Sequence, residues 1–194
     1  MLEKNQTPQN GASSRSKTHA GIRTLAVCAL FCAMSIVLGK YLAIRGGDIL
    51  RFSFENLPVL LAGMWFGPLA GVAVGVVSDL LGCLMVGYTI NPLITLGAAA
   101  IGLVGGLLFR VIPEKKVFLS TLVPVFTAHL VGSVLIKTCG LAAFYSMPFF
   151  VLMLWRLMNY AIVAAAETGL IWLLRKNRGV RSLVGRIRGE KKSE

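Results

Sequence analysis

The chain has 194 residues, of which 56% are hydrophobic and 14% charged, with a mean hydropathy of +0.74. Soluble domains carry about 25% charged residues, so the composition excludes a soluble globular protein and points to one integral membrane domain. A formal net charge of +12 is large enough to suggest nucleic acid, but no aromatic platform accompanies the basic tails, which excludes that class.

The charge is instead clustered. Lys4, Arg15, Lys17 and Arg23 precede the first apolar run. Arg110, Lys115 and Lys116 sit in the middle of the chain, and Arg175, Lys176, Arg178, Arg181, Arg186, Arg188, Lys191 and Lys192 close it. Basic clusters between apolar runs are the positive-inside signal of a polytopic protein. Attraction to anionic headgroups of membrane lipid follows from the same clusters.

Residues 1–20 are polar and read as a disordered cytoplasmic tail. Six helices are predicted over residues 21–175: 21–43, 54–66, 68–86, 92–112, 117–142 and 148–175. The apolar runs are too long and too many for a signal peptide. Proline opens the third, fourth and sixth helices, where its missing N–H costs little. Residues 176–194 read as a basic, frayed cytoplasmic tail. The second helix is short: its apolar core, residues 57–66, rises ~15 Å against a hydrocarbon thickness of ~30 Å. If it still crosses, both termini and the Arg110–Lys116 cluster lie on one side, as the charge rule prefers. The expected fold is therefore all-α, a six-transmembrane-helix bundle with N-in/C-in topology and outer loops at 44–56, 87–91 and 143–147.

Two polar islands interrupt the apolar runs: Arg51-Phe52-Ser53-Phe54-Glu55-Asn56-Leu57-Pro58 and Gly87-Tyr88-Thr89-Ile90-Asn91-Pro92. Both fall on the outer side of the expected bundle. Polar groups near a membrane cost free energy unless solvated, paired or bound, so the islands suggest a mouth for a polar, partly aromatic solute. Within the spans, Asp79, His129, Ser133, Lys137, Arg156, Asn159, Tyr160 and Glu167 are costly to bury. Lys137 and Arg156 lie in the outer half with no acidic neighbour in sequence; with Arg45 and Arg51 they form a potential anion pocket. Alternatively Arg51 pairs with Glu55 and Arg45 with Asp48, and Lys137 snorkels to the surface. Asp79 and Glu167 read as structural, and His129 as a hydrogen-bonded packing residue.

Small residues recur every fourth position, which lets helix backbones approach closely. Such stripes are Ala29 and Ala33; Gly63, Gly67, Gly71 and Gly75; Ala98, Gly102 and Gly106; and Ala161, Ala165 and Gly169. Those on the fourth and sixth helices read as internal packing. The Ala29–Ala33 pair reads equally as packing or as a docking face for another membrane protein. Cys28, Cys32, Cys83 and Cys139 lie in apolar segments without ligand spacing, so neither disulfide nor metal site is expected. No phosphate-binding loop, HExxH motif or paired carboxylates are present, and no catalytic residue or cofactor is assigned.

The run RFSFENLPVLLAGMWFGPLAGVAVGVVSDLLG and the following GYTINPLITLGAAAIGLVGGL resemble the substrate-binding S component of energy-coupling factor (ECF) transporters, folate-type members above all. The likeness covers about residues 22–175. It implies a bacterial plasma-membrane subunit that captures a vitamin from outside and topples when docked. Transport then requires a T component and two cytoplasmic ATPase subunits, which alone use ATP. It assigns Ala29 and Ala33 to docking on the T component. For folate, the pterin ring has Phe54, Tyr88 or Trp155 to stack on and Asn91 or Asn159 to hydrogen-bond. The glutamate carboxylates suit Arg51, Arg45, Lys137 or Arg156. An S component for another vitamin such as riboflavin, a membrane enzyme and a non-transport accessory protein are the competing expectations.

Overall fold

The computed structural model describes residues 10–46, 50–113, 117–145 and 148–189, with side chains from residue 21 onward except at 45, 46, 50, 51 and 145. Helix α1 (Asn10–Ile36) runs on through a π-helical turn, Val37–Tyr41. A small antiparallel hairpin follows, β1 (Ile44–Gly46) and β2 (Leu50–Phe52), with Ile44 opposite Phe52 and Arg45 opposite Arg51. Then come α2 (Asn56–Phe66), α3 (Pro68–Val86) and α4 (Pro92–Val111). The next rod is one helix in three parts: α5 (Leu119–Ala128), a π-helical stretch His129–Ile136, and α6 (Lys137–Tyr145). Helix α7 (Phe149–Lys176) and α8 (Arg178–Arg188) complete the chain.

Among the described residues, five helical segments are long and apolar enough to cross a membrane, and α2 is a shorter apolar helix of 11 residues. Large apolar side chains face outward along the bundle, Leu69 at 82% exposure and Phe150 at 79% among them. A soluble protein would bury such a surface; here lipid is the partner for it.

Local chemistry sets the helix ends. Gly67, with φ 105° and ψ 169°, occupies a region open essentially to glycine alone, and Pro68 then starts α3. Asn91 caps α4 by accepting the N–H of Leu93 at 3.0 Å, and Pro92 fills the first helical position.

The tightest packing is where α2, α3 and α4 meet. Gly63, Gly71, Gly75, Ala98, Gly102 and Gly106 are all buried. A Cβ on Gly71 would lie 2.8 Å from the Gly102 carbonyl oxygen and 2.9 Å from the Gly63 Cα. A Cβ on Gly102 would strike the Gly71 backbone directly. Leu60, Ile101, Val125, Ala128 and Ile171 fill the core beside this seam.

Several sequence expectations are corrected. The outer segment after α1 is not all loop, because residues 44–46 and 50–52 pair as strands. Helix α1 begins at Asn10, inside the segment read as disordered. The chain beyond Lys176 is not frayed: Asn177 caps a separate helix, α8, which packs on α1 and α7. The Ala161, Ala165 and Gly169 stripe is exposed and does not pack internally. The stripe on α4 does pack internally, as expected.

Replacing Gly102 by Ala is expected to cost about 1–3 kcal/mol through overpacking and to lower the detergent melting temperature. Gly169→Ala, where a Cβ meets nothing within 4 Å, leaves it unchanged or slightly raised. Equal melting of the two variants would remove the seam as the tight contact.

Candidate functional site

The hairpin end of the bundle encloses a cavity of about 280 Å³. Helix α1 contributes Lys40 from its π turn, and the segment before α2 contributes Ser53 and Glu55. Asp79 and Cys83 come from α3, Tyr88 and Thr89 from the following turn, and Ile94 from α4. Lys137 and Leu141 come from α6, and Arg156, Asn159 and Tyr160 from α7. Three cations thus face two carboxylates around two phenol rings.

Each charge is held by a group from another part of the chain. Lys137, only 4% exposed, donates to the Glu55 carboxylate at 3.3 Å. Glu55 is in turn fixed through its backbone: Ser35 donates to its carbonyl at 2.6 Å, and its N–H donates to the Ser53 hydroxyl at 3.2 Å. Lys137 therefore does not snorkel, and its acidic partner comes from a loop 82 residues away in sequence. Removing one partner of such a buried pair costs several kcal/mol, because the other charge is stranded. Across the cavity, Thr95 donates to Asp79 at 2.7 Å. Lys40 lies 5.4 Å above the Tyr88 ring and 3.9 Å from the Cys83 sulfur.

Arg156 is held by the π-helical stretch. Where a π segment returns to α-helix, one carbonyl falls between the two hydrogen-bond registers. The Lys137 N–H goes to the Gly132 carbonyl, and the neighbouring Ser133 carbonyl takes two bonds from Arg156, at 3.0 and 3.2 Å. Arg156 also donates to the Tyr160 hydroxyl at 3.4 Å and lies 5.2 Å above that ring.

Below Tyr160 lies a second polar layer. The His129 ring stacks on Tyr160 at 5.3 Å and is hydrogen-bonded to Glu167 at 2.7 Å and to Ser133 at 3.3 Å. His129 and Glu167 are 2% and 0% exposed. This satisfies the histidine as a packing residue and braces the wall that carries Arg156 and Tyr160.

Of the residues singled out in the sequence, Tyr88, Lys137, Arg156 and Asn159 meet in this cavity. Asn91 does not: it is buried, its oxygen capping α4 and its nitrogen donating to the Gly140 carbonyl at 2.9 Å. Trp155 is 41% exposed and outside the lining, and Phe54 is half-buried and also outside it. The side chains of Arg45 and Arg51, and residue Asp48, lie outside the described set. Sequence reasoning missed Lys40 as a site residue, although it is a lone charge at the end of an apolar span, which marks function by default. It weighed Asp79 as structural; Asp79 both accepts from Thr95 and lines the cavity.

Comparison with known proteins adds the family. Residues 23–185 match the family model described as ECF transporter, substrate-specific component. Over 64 residues the chain is 34% identical to the folate transporter FolT of Clostridium novyi (strain NT), a stretch covering 33% of this chain and 37% of that relative. The match thus spans little more than a third of that relative. The fold is similar to the crystal structure of FolT bound with folic acid (TM-score 0.65, 20% identity, 78% of this chain and 90% of that one). It is also similar to the crystal structure of an S component for biotin from an ECF-type ABC transporter (TM-score 0.58, 19% identity, 84% and 95%). At such identities the likeness is one of fold. Together with the apolar helices, the family match makes this a multi-pass protein of the bacterial plasma membrane. By its sequence over residues 23–185, the chain belongs to the family of ECF transporter substrate-specific components.

Proposed function

We propose that this chain is the vitamin-capturing subunit of an ECF-type importer and that its ligand is folate. The observation that carries the reading is the cavity, which gathers Lys40, Lys137 and Arg156 with Glu55 and Asp79 around Tyr88 and Tyr160. Folate needs both signs. Its glutamate carboxylates suit the cations, and the N–H donors of its pterin edge suit a carboxylate. Its ring has phenol faces to stack on. Riboflavin is uncharged and offers no carboxylate to a cavity lined by three cations and two carboxylates. At about 280 Å³, the cavity is near the lower bound of small-molecule sites, roughly 300 Å³. It suits one ring system, with the rest of the ligand at the mouth beside β1 and β2. Among the sequence candidates, Tyr88, Lys137, Arg156 and Asn159 are the ligand contacts in this reading, with Arg51, a residue of β2, as a further candidate. The role is capture, without catalysis.

The reading includes six crossings with both termini inside. Helix α2 starts beside the small pocket that shares Lys40, Glu55, Asp79 and Lys137 with the site. Its last turn carries Met64 and Trp65, which line a cavity with Phe109, Val117, Leu174 and α8. Eleven residues thus reach from one end of the polar interior to the other, which supports a crossing. The inner end then holds Arg110, Arg175 and α8, in keeping with the charge rule.

Ala29 and Ala33 are exposed on one face of α1 beside exposed Leu25 and Leu30. That is the arrangement a T component would need for close helix contact, and two ATPase subunits would then supply ATP hydrolysis.

Equilibrium binding of labelled folate to the detergent-purified protein tests the ligand. Saturable binding below micromolar is expected, uncompeted by riboflavin; competition by riboflavin instead favours the alternative vitamin. Arg156→Ala and Lys40→Gln are each expected to weaken folate roughly ten- to a hundredfold, the worth of one charge-assisted hydrogen bond. Lys40→Gln separates contact from folding, since Lys40 makes no bond to the Ser133 backbone. Ala33→Trp should leave folate binding intact while abolishing copurification with T and ATPase subunits; continued assembly would remove the docking role. In intact cells, a membrane-impermeant thiol reagent should label Thr89→Cys, and Arg181→Cys only after permeabilisation. The reverse pattern would invert the topology.

A further inference from the structure

Adjoining the vitamin cavity is a small polar chamber of about 20 Å³. Lys40, Glu55, Asp79 and Lys137 line both, so these four residues form the partition between them. The other wall adds Ser35 from α1, Asn56 at the start of α2 and Ser78 on α3. Asn56 is 2% exposed, and its amide nitrogen Nδ2 is buried without a hydrogen-bond partner in the protein. Burial strips such a group of water at a cost that only a new acceptor offsets, and buried polar groups find theirs in the protein or in ordered water. The chamber supplies acceptors. Ser35 and Ser78 give their protons to the carbonyls of Glu55 and Gly75, at 2.6 and 3.2 Å, and their oxygens remain able to accept. The Asp79 carboxylate takes the Thr95 hydroxyl at 2.7 Å, and a carboxylate accepts about four such bonds.

One water needs about 10–15 Å³, so the chamber has room for one and not for two. Its chemistry selects water over an ion. The Asn56 N–H demands an acceptor, which a cation is not, and the two carboxylates of the lining oppose an anion. Water accepts from Asn56 and donates to Asp79 and to a serine hydroxyl, the three bonds typical of a buried water. We propose that this chamber binds one water molecule, and that through it Asn56 positions the Asp79 carboxylate from the side away from the vitamin. A bridge of this kind is nearly as favourable as a direct hydrogen bond. With Thr95 it fixes the carboxylate by two groups from different helices. Asn56 is thus a positioning residue, although it does not line the vitamin cavity. The effect on the vitamin rests on the folate reading above; the water itself does not.

A crystal structure of the full-length protein that resolves ordered water is expected to show one density peak within hydrogen-bond distance of Asn56 Nδ2 and the Asp79 carboxylate. No peak there overturns the proposal, and a peak that gains anomalous signal after bromide exchange replaces the water by an anion. Melting in detergent gives an independent reading. In a dry chamber Asn56→Leu removes an orphaned donor and raises the melting temperature. With the water bound, the same change strands the water's other partners and lowers it, so a raised value overturns the water. Folate affinity should fall roughly three- to tenfold in Asn56→Leu, the worth of one neutral hydrogen bond. Asn56→Ser keeps a hydroxyl and opens space for a further water in place of the amide, so it should bind folate close to wild type. An equal loss in both variants would make Asn56 a packing residue and remove the positioning role. Failure of the wild type to bind folate would overturn the ligand alone, because the density and the melting temperatures decide the water without it.

Discussion

Close backbone contact among α2, α3 and α4 is the constraint on which the remaining structure depends. Between helices in lipid there is no hydrophobic drive, so association rests on van der Waals packing and interhelical hydrogen bonds. Gly63, Gly71, Gly75, Gly102 and Gly106 let three helices touch along their backbones. That contact allows an 11-residue α2 to sit inside the bundle, wrapped by longer neighbours. It also fixes the height of Glu55, one residue before α2, and of Asp79 on α3. Bulkier residues at the seam would push these carboxylates apart from the cations they meet.

The second determinant is charge held by partners from distant parts of the chain. Glu55 and Lys137 bind one another across the cavity floor, and the π-helical return at Gly132–Lys137 leaves the Ser133 carbonyl for Arg156. The same departure from α geometry therefore orients a cation and satisfies a backbone group. Beneath it, His129 and Glu167 hold Tyr160 from behind. The cavity wall is thus a stack of polar residues on the π-helical stretch, α6 and α7 that hold one another in place. Such a wall is preorganised for a ligand, which reduces the ordering cost of binding. The opposite end is built differently, with arginines over an aromatic floor and an amphipathic helix closing it.

Much of this was legible in the chain. Hydropathy marks the long helices, because lipid exposure demands runs of about 20 apolar residues. Tyr88, Lys137, Arg156 and Asn159 are visible as polar groups where polarity is costly. Asn91 carries the same signal yet serves as a cap, since the penalty for burial does not distinguish a ligand contact from a satisfied structural group. Trp155 fails for another reason: one helical position separates it from Arg156, and a rotation of about 100° per residue turns it out of the cavity. The β1–β2 hairpin was missed because three-residue strands are too short for an alternation pattern. The helical character of α8 was hidden by its charge, which resembles that of a disordered basic tail.

The sequence by itself determined the solvent, the approximate positions of the helices and the family, since each is written in local composition or in an extended run of residues. It also exposed the small-residue stripes, because spacing of four is a property of the chain. Only the tertiary structure decided which stripe packs and which faces outward, since that depends on the rotation of each helix about its axis. The tertiary structure also paired Glu55 with Lys137, and brought Lys40 and Asp79 into the same cavity as Arg156. Ion pairing depends on distance in space, and residues 82 apart in sequence carry no local mark of being 3.3 Å apart in the fold.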